Sequence, residues 1–188
     1  MKLQQLYIED YQDVIRNGIL SQQDCGFYAI LPRNIVYKGI GEIDEQYCQE
    51  HDFQVYNSVD FGGGIVGFEG DIVIVIVKHE GWKIGESFMQ KLNEYLKQHG
   101  LNSSLDGNDI MIDGIYKCAS CSSVNIGNRN IYTGIQITFN ADADIIKHIC
   151  KKESVKIPKG LNKYNINNQD VLQFVFDHFN PKSQMIIT

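Results

Sequence analysis

The segment DGNDIMIDGIYKCASCSS, residues 106–123, predicts two short strands joined by a tight turn. Asp113-Gly114 suits a two-residue type I′ turn, because both central residues of that turn need positive φ. In this register Lys117 lies opposite Ile110. The residues that share the face of Lys117 are then Ile110, Ile112, Ile115, Ala119 and, as a diagonal neighbour, Asn108. A cation on a mostly apolar face either reaches water along its aliphatic stem or meets an anion, and both explanations stay open for Lys117.

Three consecutive glycines in VDFGGGIVGFEGD, residues 59–71, are the second unusual feature. Glycine loses much conformational entropy on folding and weakens a strand interior. A run without side chains lets the backbone pass close to a ligand and offers N–H donors to phosphate or carboxylate oxygens. The spacing matches neither a Walker A loop nor G-x-G-x-x-G. The run therefore indicates either a binding loop or a flexible turn before the next strand.

Hydrophobic periodicity predicts the other elements. Strands are expected near 26–31, 34–37, 53–57, 71–78 and 131–140, and helices near 42–51, 84–99, 142–152 and 169–179. The β-branched run DIVIVIVK at 71–78 has no polar alternation, which favours a central strand buried on both faces. In helix 84–99 the apolar residues fall on one stripe, and Gly100 gives the C-terminal stop. Hairpin-linked strands with helices between some of them predict an α+β fold, with a mainly antiparallel sheet flanked by helices.

Length and composition bound the class of protein. A chain of 188 residues is long enough for one sizeable core, so we expect a single domain over residues 1–188. No signal segment opens the chain, and the longest apolar run, residues 72–77, is too short to span a bilayer. These features predict a cytoplasmic protein without membrane contact. The net charge of −6 argues against general nucleic-acid binding, since phosphate neutralisation needs clustered Lys and Arg.

Two local patterns allow more than one interpretation. Residues 147–163 hold six lysines and one glutamate, which indicates either a solvated helix end or a docking patch for an acidic partner or a phosphate. The five cysteines are an odd number without a secretory signal, so we expect free thiols. Cys118 and Cys121 form C-x-x-C, but positions i and i+3 of a strand point to opposite faces. No second Cys or His pair follows at zinc-like spacing, so we expect no metal site.

Five segments in the right order resemble the lipoate-protein ligase and octanoyltransferase family, whose catalytic domain is related to biotin-protein ligase. FYAILPRNIVYKG looks like the paired early strands of that family, and FQVYNSVDFGGGIV is similar to its segment ending in Gly-Gly-Gly-Ala-Val. HGLNSSLDGNDIMIDGIYKCASCSS is similar to its Gly-x-Asn-Asp strand followed by Gly-x-Lys-Val/Ile-Ser/Ala-Gly-Ser. TGIQITFNADADIIKHI and IPKGLNKY complete the series. The resemblance runs from about residue 28 to residue 164 and implies the catalytic-domain fold of that family.

The resemblance implies an enzyme that activates lipoate or octanoate with ATP and Mg²⁺ to an acyl-adenylate and passes the acyl group to a carrier lysine. Lys117 matches the family's invariant lysine, which holds the carboxylate and the α-phosphate. The implied nucleotide-binding residues are Asn108, Asp109 and Lys159. The implied substrate-binding residues are Gly62, Gly63, Gly64, Ala119, Ser120, Thr133 and Gly134. The implied carrier is a small acidic lipoyl domain or a glycine-cleavage H-type protein, and the chain either acts alone or needs a separate accessory domain.

The sequence also departs from the family pattern. Ser58 and Val59 stand where the family usually carries Arg-Arg, and Thr133 stands where it has His. Losing arginine removes a bidentate phosphate ligand. Lys159 stands where one octanoyltransferase branch has a nucleophilic cysteine, which excludes thioester transfer at that position but leaves the C-x-x-C cysteines open. The alternatives to a ligase are a non-catalytic acyl- or nucleotide-binding protein and an octanoyl or lipoyl transferase that does not use ATP.

Overall fold

The computed structural model describes residues 3–10, 13, 17, 24–38, 43–57, 65–79, 81–125, 130–151 and 156–179. Its strands are β1 Leu3–Gln5, β2 Cys25–Ile30, β3 Ile35–Lys38, β4 Gln54–Asn57, β5 Ile65–Gly67, β6 Ile72–His79, β7 Ser103–Asp106, β8 Asp109–Ile112, β9 Tyr116–Asn125, β10 Asn130–Ile137 and β11 Ile157–Pro158. Its α-helices are α1 Glu45–Glu50, α2 Gly81–Gln98, α3 Ala143–Cys150 and α4 Asn168–Phe179. None of the helices in these ranges is long and apolar enough to cross a membrane.

The strands form two sheets. The large sheet has the order β1-β2-β6-β10-β9-β8-β7, with β11 added beside β9, and the small sheet has the order β4-β3-β5. Most neighbouring strands are antiparallel, and the parallel pairs are β1–β2, β3–β4 and β9–β11. The prediction of an α+β fold with a mainly antiparallel sheet is confirmed. The periodicity of the sequence does not indicate the small sheet.

β2 and β3 belong to different sheets, so the prediction that FYAILPRNIVYKG forms paired strands is wrong. β2 pairs with β1 and β6, whereas β3 pairs with β4 and β5. Leu31 marks the point where the chain leaves the large sheet. Its N–H donates to the Asp71 carbonyl at 2.8 Å, and its carbonyl accepts from the Gly70 N–H at 2.9 Å. These two bonds tie the crossover to the turn between β5 and β6.

The side chains of β6 separate two cores. Those that point to α2 and α4 are Ile72, Ile74 and Ile76, and those that point to the small sheet are Val73, Val75 and Val77. All of them are buried, as predicted for a strand covered on both sides, and β6 lies between β2 and β10 in the interior of the sheet. We call the side of the large sheet that packs against α2 and α4 the helix face, and the other side the small-sheet face.

The helix α2 covers the helix face with the predicted apolar stripe. Phe88, Met89, Leu92 and Leu96 are buried against the large sheet. Gly100 has φ +83°, the left-handed conformation that ends helices, so the predicted stop is confirmed. The helix begins at Gly81, earlier than the predicted start at residue 84.

Asp71 is a fully buried carboxylate at the turn between the two sheets. Its Oδ1 accepts from the N–H groups of Phe139 at 2.7 Å and Asn140 at 3.2 Å. Its Oδ2 accepts from the Phe68 N–H at 3.1 Å and from Gln136 Nε2 at 3.3 Å. Burial raises the pKa of Asp71 to about 6, although these four hydrogen bonds lower it. The carboxylate therefore joins the β5–β6 turn to the end of β10.

Asp71 gives the stability a pH dependence of defined sign. Because its pKa is about 6 in the folded protein and about 3.9 in the unfolded chain, the folded protein holds this proton more tightly. The resulting stabilisation, about 3 kcal/mol, is complete below about pH 3.9 and is lost as the pH rises through the folded pKa. Urea unfolding at several pH values tests this when the wild type is compared with Asp71→Asn, which cannot titrate. If acidification lowered the stability of the wild type relative to Asp71→Asn, the expected sign would be wrong.

Candidate functional site

The hairpin formed by β8 and β9 turns where the sequence predicts it. Asp113 and Gly114 have φ +55° and +67°, as a type I′ turn requires, and the Ile115 N–H donates to the Ile112 carbonyl at 3.1 Å. The register of the strands differs from the prediction. The observed pairs are Ile112 with Tyr116, Met111 with Lys117, and Ile110 with Ala119. Residues 113–115 separate the two strands, which shifts the pairs nearest the turn by one residue from the prediction. A β-bulge at Cys118 shifts the pairs beyond it by one more residue.

The observed register puts Lys117 on the small-sheet face. Its partner Met111 alternates with Ile110 and Ile112, which belong to the helix-face core. The prediction that Lys117 shares a face with these two isoleucines and with Ala119 is therefore wrong, because a shift of one residue reverses the side on which a strand residue points. Ile115, also placed on that face, lies in the turn and is exposed. The Lys117 side chain itself is half-buried.

Three further residues named by the resemblance point to the same side as Lys117. Ser120 pairs with Asp109 on β8 and with Gln136 on β10. Gly134 lies two residues before Gln136 and therefore shares its face. Lys117, Asp109, Ser120 and Gly134 thus share the small-sheet face, although they derive from three different strands.

The other residues of the large sheet named by the resemblance lie on the helix face. Ala119 is 2% exposed in the core beneath α2. Thr133 is fully buried, and its Oγ1 is hydrogen-bonded to Ser123 Oγ at 2.9 Å. Asn108 lines a cavity beside α2, so the prediction that it is a same-face neighbour of Lys117 is wrong. The sheet therefore lies between a ligand held by Lys117 and the side chains of Ala119, Thr133 and Asn108.

The strand β5, which follows the glycine run in the sequence, lies against this face. Gly62, Gly63 and Gly64, together with Ser58 and Val59, lie outside the described residues. β5 begins directly afterwards, and the Val66 carbonyl accepts from Gln136 Nε2 at 2.8 Å. Because Gln136 lies opposite Ser120, this bond holds β5 against the face that carries Lys117. The sequence gives no sign that Gln136 has this role.

Lys156 is a second residue that the sequence patterns do not single out. Its Nζ lies 2.7 Å from Asp109 Oδ2 and 2.9 Å from Asp106 Oδ2. Hydrogen bonds to Asp109 and Asp106 raise the pKa of Lys156. The segment before β11 is thereby attached to the β7–β8 hairpin, and one cation of the basic run 147–163 is neutralised within the chain.

The strand β11 runs beside Lys117. Pro158 pairs with Lys117, and the Lys159 N–H donates to the Lys117 carbonyl at 3.0 Å. The Lys159 ammonium lies 4.1 Å from the ring centroid of Tyr116 and 5.0 Å from that of Tyr164. Lys159 therefore makes cation–π contacts within its own chain, and its contact with a nucleotide stays a prediction.

Comparison with known proteins identifies the fold but no close relative. No protein-family model matches the sequence, and no curated protein matches it either. Among the solved structures that match is P. falciparum LipL1 in complex with lipoate, with a TM-score of 0.72 and 14% identity. Lipoate-protein ligase A bound with ATP matches with a TM-score of 0.71 and 13% identity. A bipartite lipoate protein ligase with its E2 lipoyl domain from Thermoplasma acidophilum matches with a TM-score of 0.69 and 11% identity. The chain has the lipoate-protein ligase fold. The matches cover 94–95% of this chain, which spans 60% of LipL1 and 84% and 82% of the other two.

Within this lipoate-protein ligase fold, both C-x-x-C cysteines lie on the helix face. Cys118 is part of the helix-face core, and Cys121 packs against it. The expectation that they point to opposite faces is wrong, because the bulge at Cys118 interrupts the alternation of β9. Burial raises the pKa of Cys118 to about 12 and that of Cys121 to about 11. Both thiols lie on the face opposite to the Lys117 side chain, and their raised pKa values keep them protonated at neutral pH, which disfavours either as an acyl-accepting nucleophile.

These thiols should resist alkylation in the folded protein. At pH 7.5 we expect iodoacetamide to modify Cys118 and Cys121 at least about 100-fold more slowly than a free thiol, because only the thiolate reacts. Peptide mass spectrometry after timed quenching measures each site. The same protein unfolded in guanidinium is the control, and there both cysteines should react at the free-thiol rate. Rapid modification of either cysteine in the folded protein would mean that its thiol is activated.

Proposed function

We propose that this protein activates lipoate, octanoate or a related short fatty acid with ATP to an acyl-adenylate and transfers the acyl group to a lysine of a carrier protein. The position of Lys117 carries the proposal. The half-buried Lys117 is on the small-sheet face, which also carries Asp109, Ser120 and Gly134, and the lipoate-protein ligase resemblance expects the reacting carboxylate and α-phosphate beside this lysine. The likeness of fold supports it, because it spans nearly the whole chain.

Lys117 is well suited to hold negative charge at one point. Its main chain lies between β8 and β11, with Met111 on one side and Pro158 on the other, so two neighbouring strands fix its backbone. An ammonium that is already in place costs no reorganisation when charge builds on the carboxylate and phosphate oxygens. Such a donor is worth about 3–4 kcal/mol in comparable sites. ATP enters as its Mg²⁺ complex, which is a substrate here.

The partners that we propose follow from the same reaction. LipL1 is in complex with lipoate, lipoate-protein ligase A is bound with ATP, and the archaeal ligase is bipartite and accompanies an E2 lipoyl domain. For this chain we propose a small acidic lipoyl domain or a glycine-cleavage H-type protein as acyl acceptor. Lysines of the 147–163 run other than Lys156 would attract such an acceptor.

A non-catalytic acyl- or nucleotide-binding protein is the second candidate. Ser58 and Val59 in place of the family arginines favour it, because neither side chain can bind a phosphate bidentately. The buried Thr133 in place of histidine favours it too, since its hydroxyl is already bonded to Ser123. A transferase that works without ATP is less well supported, because the C-x-x-C thiols are protonated and face α2.

ATP–pyrophosphate exchange tests the proposal. The full chain is incubated with MgATP, labelled pyrophosphate and, separately, lipoate, octanoate or biotin. Exchange that depends on lipoate or octanoate, followed by acyl transfer to an added lipoyl domain, is the expected result. Absence of exchange with every acid would refute the ligase. If calorimetry then still detected binding of an acyl-adenylate analogue, the binding protein would be the better description.

A further inference from the structure

A cavity of about 280 Å³ opens on the helix face, between the N-terminal half of α2 and the β7–β8 turn. Its wall includes Trp82, Glu86 and Met89 of α2, Leu105 and Asn108 of the hairpin, and Cys121 of β9. Its volume is close to the lower limit of small-ligand pockets, ~300 Å³. Because the large sheet separates it from Lys117, the cavity is distinct from the site proposed for acyl activation.

The helix side of the cavity is one stripe of α2. Trp82 and Glu86 are one turn apart, and Met89 follows on the next turn of the same side. Met89 is 2% exposed and lies deep in the wall, whereas Trp82 is 46% exposed at the rim. The indole ring at the rim and the buried thioether below it form an apolar wall, and solvent exposure falls from the rim to the bottom of the cavity.

The hairpin side is held in place by its own hydrogen bonds. Gly107 has φ +61°, as the first central residue of a type II′ turn requires, and the Asn108 carbonyl accepts from the Cys121 N–H at 2.8 Å. Leu105 projects beside this turn and is 41% exposed. Two of the five large apolar side chains that the described residues expose, Leu105 and Trp82, therefore flank one opening.

The charge of the cavity wall favours a ligand of one charge over the other. Glu86 is the single charged residue in its wall, and it makes no ion pair or side-chain hydrogen bond with the described residues. The face of the Trp82 ring is one to which an ammonium is attracted, and Lys83 Nζ lies 5.4 Å from its centroid. A carboxylate beside an indole favours a cation and disfavours an anion, whereas Met89 and Leu105 favour a hydrocarbon stem.

We infer that this cavity binds a small organic amine with a short apolar stem. The ammonium lies between the Glu86 carboxylate and the exposed face of the Trp82 ring, and the stem packs against Met89 and Leu105. Asn108, for which the family resemblance implies nucleotide binding, also lines this cavity, and its side-chain amide is available to a polar group of the same ligand.

Trp82 is the only tryptophan of the chain, so its fluorescence reports on this cavity alone. The full-length protein is titrated with n-hexylamine and, separately, with 1-hexanol and hexane-1-sulfonate, which carry the same stem with no charge or a negative charge. We expect a saturable change in Trp82 emission with the amine and none, or one at least tenfold weaker, with the other two. Glu86→Gln should weaken the amine at least tenfold.

Glu94→Gln is the matched control, because Glu94 lies on the same helix but is paired with Lys91 at 2.8 Å and is remote from the cavity. It should leave the affinity for hexylamine unchanged. Circular dichroism of both variants verifies that the fold is intact. Equal affinity for the amine and the alcohol, an unaltered affinity in Glu86→Gln, or the absence of any saturable response would each overturn the inference.

Discussion

Replacing Lys117 with methionine is expected to lower the rate of acyl-adenylate formation by about 10²–10³-fold. Methionine keeps much of the aliphatic stem of lysine but removes the ammonium that we propose to neutralise the carboxylate and α-phosphate oxygens. Because this charge develops during the reaction, the loss should appear mainly in kcat, with a smaller change in KM. ATP–pyrophosphate exchange with lipoate or octanoate gives both constants.

Two controls separate a loss of chemistry from a loss of fold. Lys117 is half-buried opposite the buried Met111, so a methionine there should leave the free energy of unfolding unchanged or higher. Lys97→Met removes an exposed ammonium from the last turn of α2 and should retain the wild-type rate. Full activity in Lys117→Met would mean that this ammonium takes no part in the reaction.

Gly160→Ala is expected to destabilise the protein by more than about 4 kcal/mol, or to prevent folding. A Cβ at Gly160 would lie 2.0 Å from the Phe139 carbonyl oxygen and 2.8 Å from the Asn140 nitrogen. Both atoms are main chain, so no rotamer change relieves the clash. The approach is close because the Leu161 and Asn162 N–H groups donate to the Thr138 and Phe139 carbonyls at 2.9 and 3.3 Å. Urea unfolding measures the effect.

Gly100→Ala is the comparison that isolates the steric clash. Gly100 has φ +83°, so alanine is strained there, but a Cβ would meet no atom within 4 Å. We expect this variant to lose only about 1–2 kcal/mol. Equal losses for the two variants would show that the packing of Gly160 against the end of β10 is not tight.

The features that the sequence predicts well are local. The β-branched run of β6 predicts an interior strand, because six consecutive apolar residues are buried only if both faces of the strand are covered. The turn at Asp113-Gly114 follows from the positive φ that those two residues tolerate, and the end of α2 at Gly100 follows for the same reason. The five ordered segments then indicate the lipoate-protein ligase fold, although no family model matches the sequence.

The features that the sequence does not predict depend on contacts between distant segments. The bulge at Cys118 buries that thiol in the helix-face core, and no local sequence pattern predicts the extra residue in β9. Closer to the turn, the third residue between the strands, Ile115, shifts the register by one, which transfers Lys117 to the other face and separates it from Asn108. Lys156 reaches Asp109 across 47 positions, and β2 and β3 enter different sheets although four residues separate them. These placements are decided by tertiary packing.

The most direct test of the account is a crystal structure of the protein with a non-hydrolysable lipoyl-adenylate analogue. We expect a phosphate or carbonyl oxygen of the analogue to lie about 3 Å from Lys117 Nζ, on the small-sheet face that also carries Ser120 and Gly134. Electron density for the analogue on the helix face, or anywhere remote from the Lys117 ammonium, would contradict the assignment of the site.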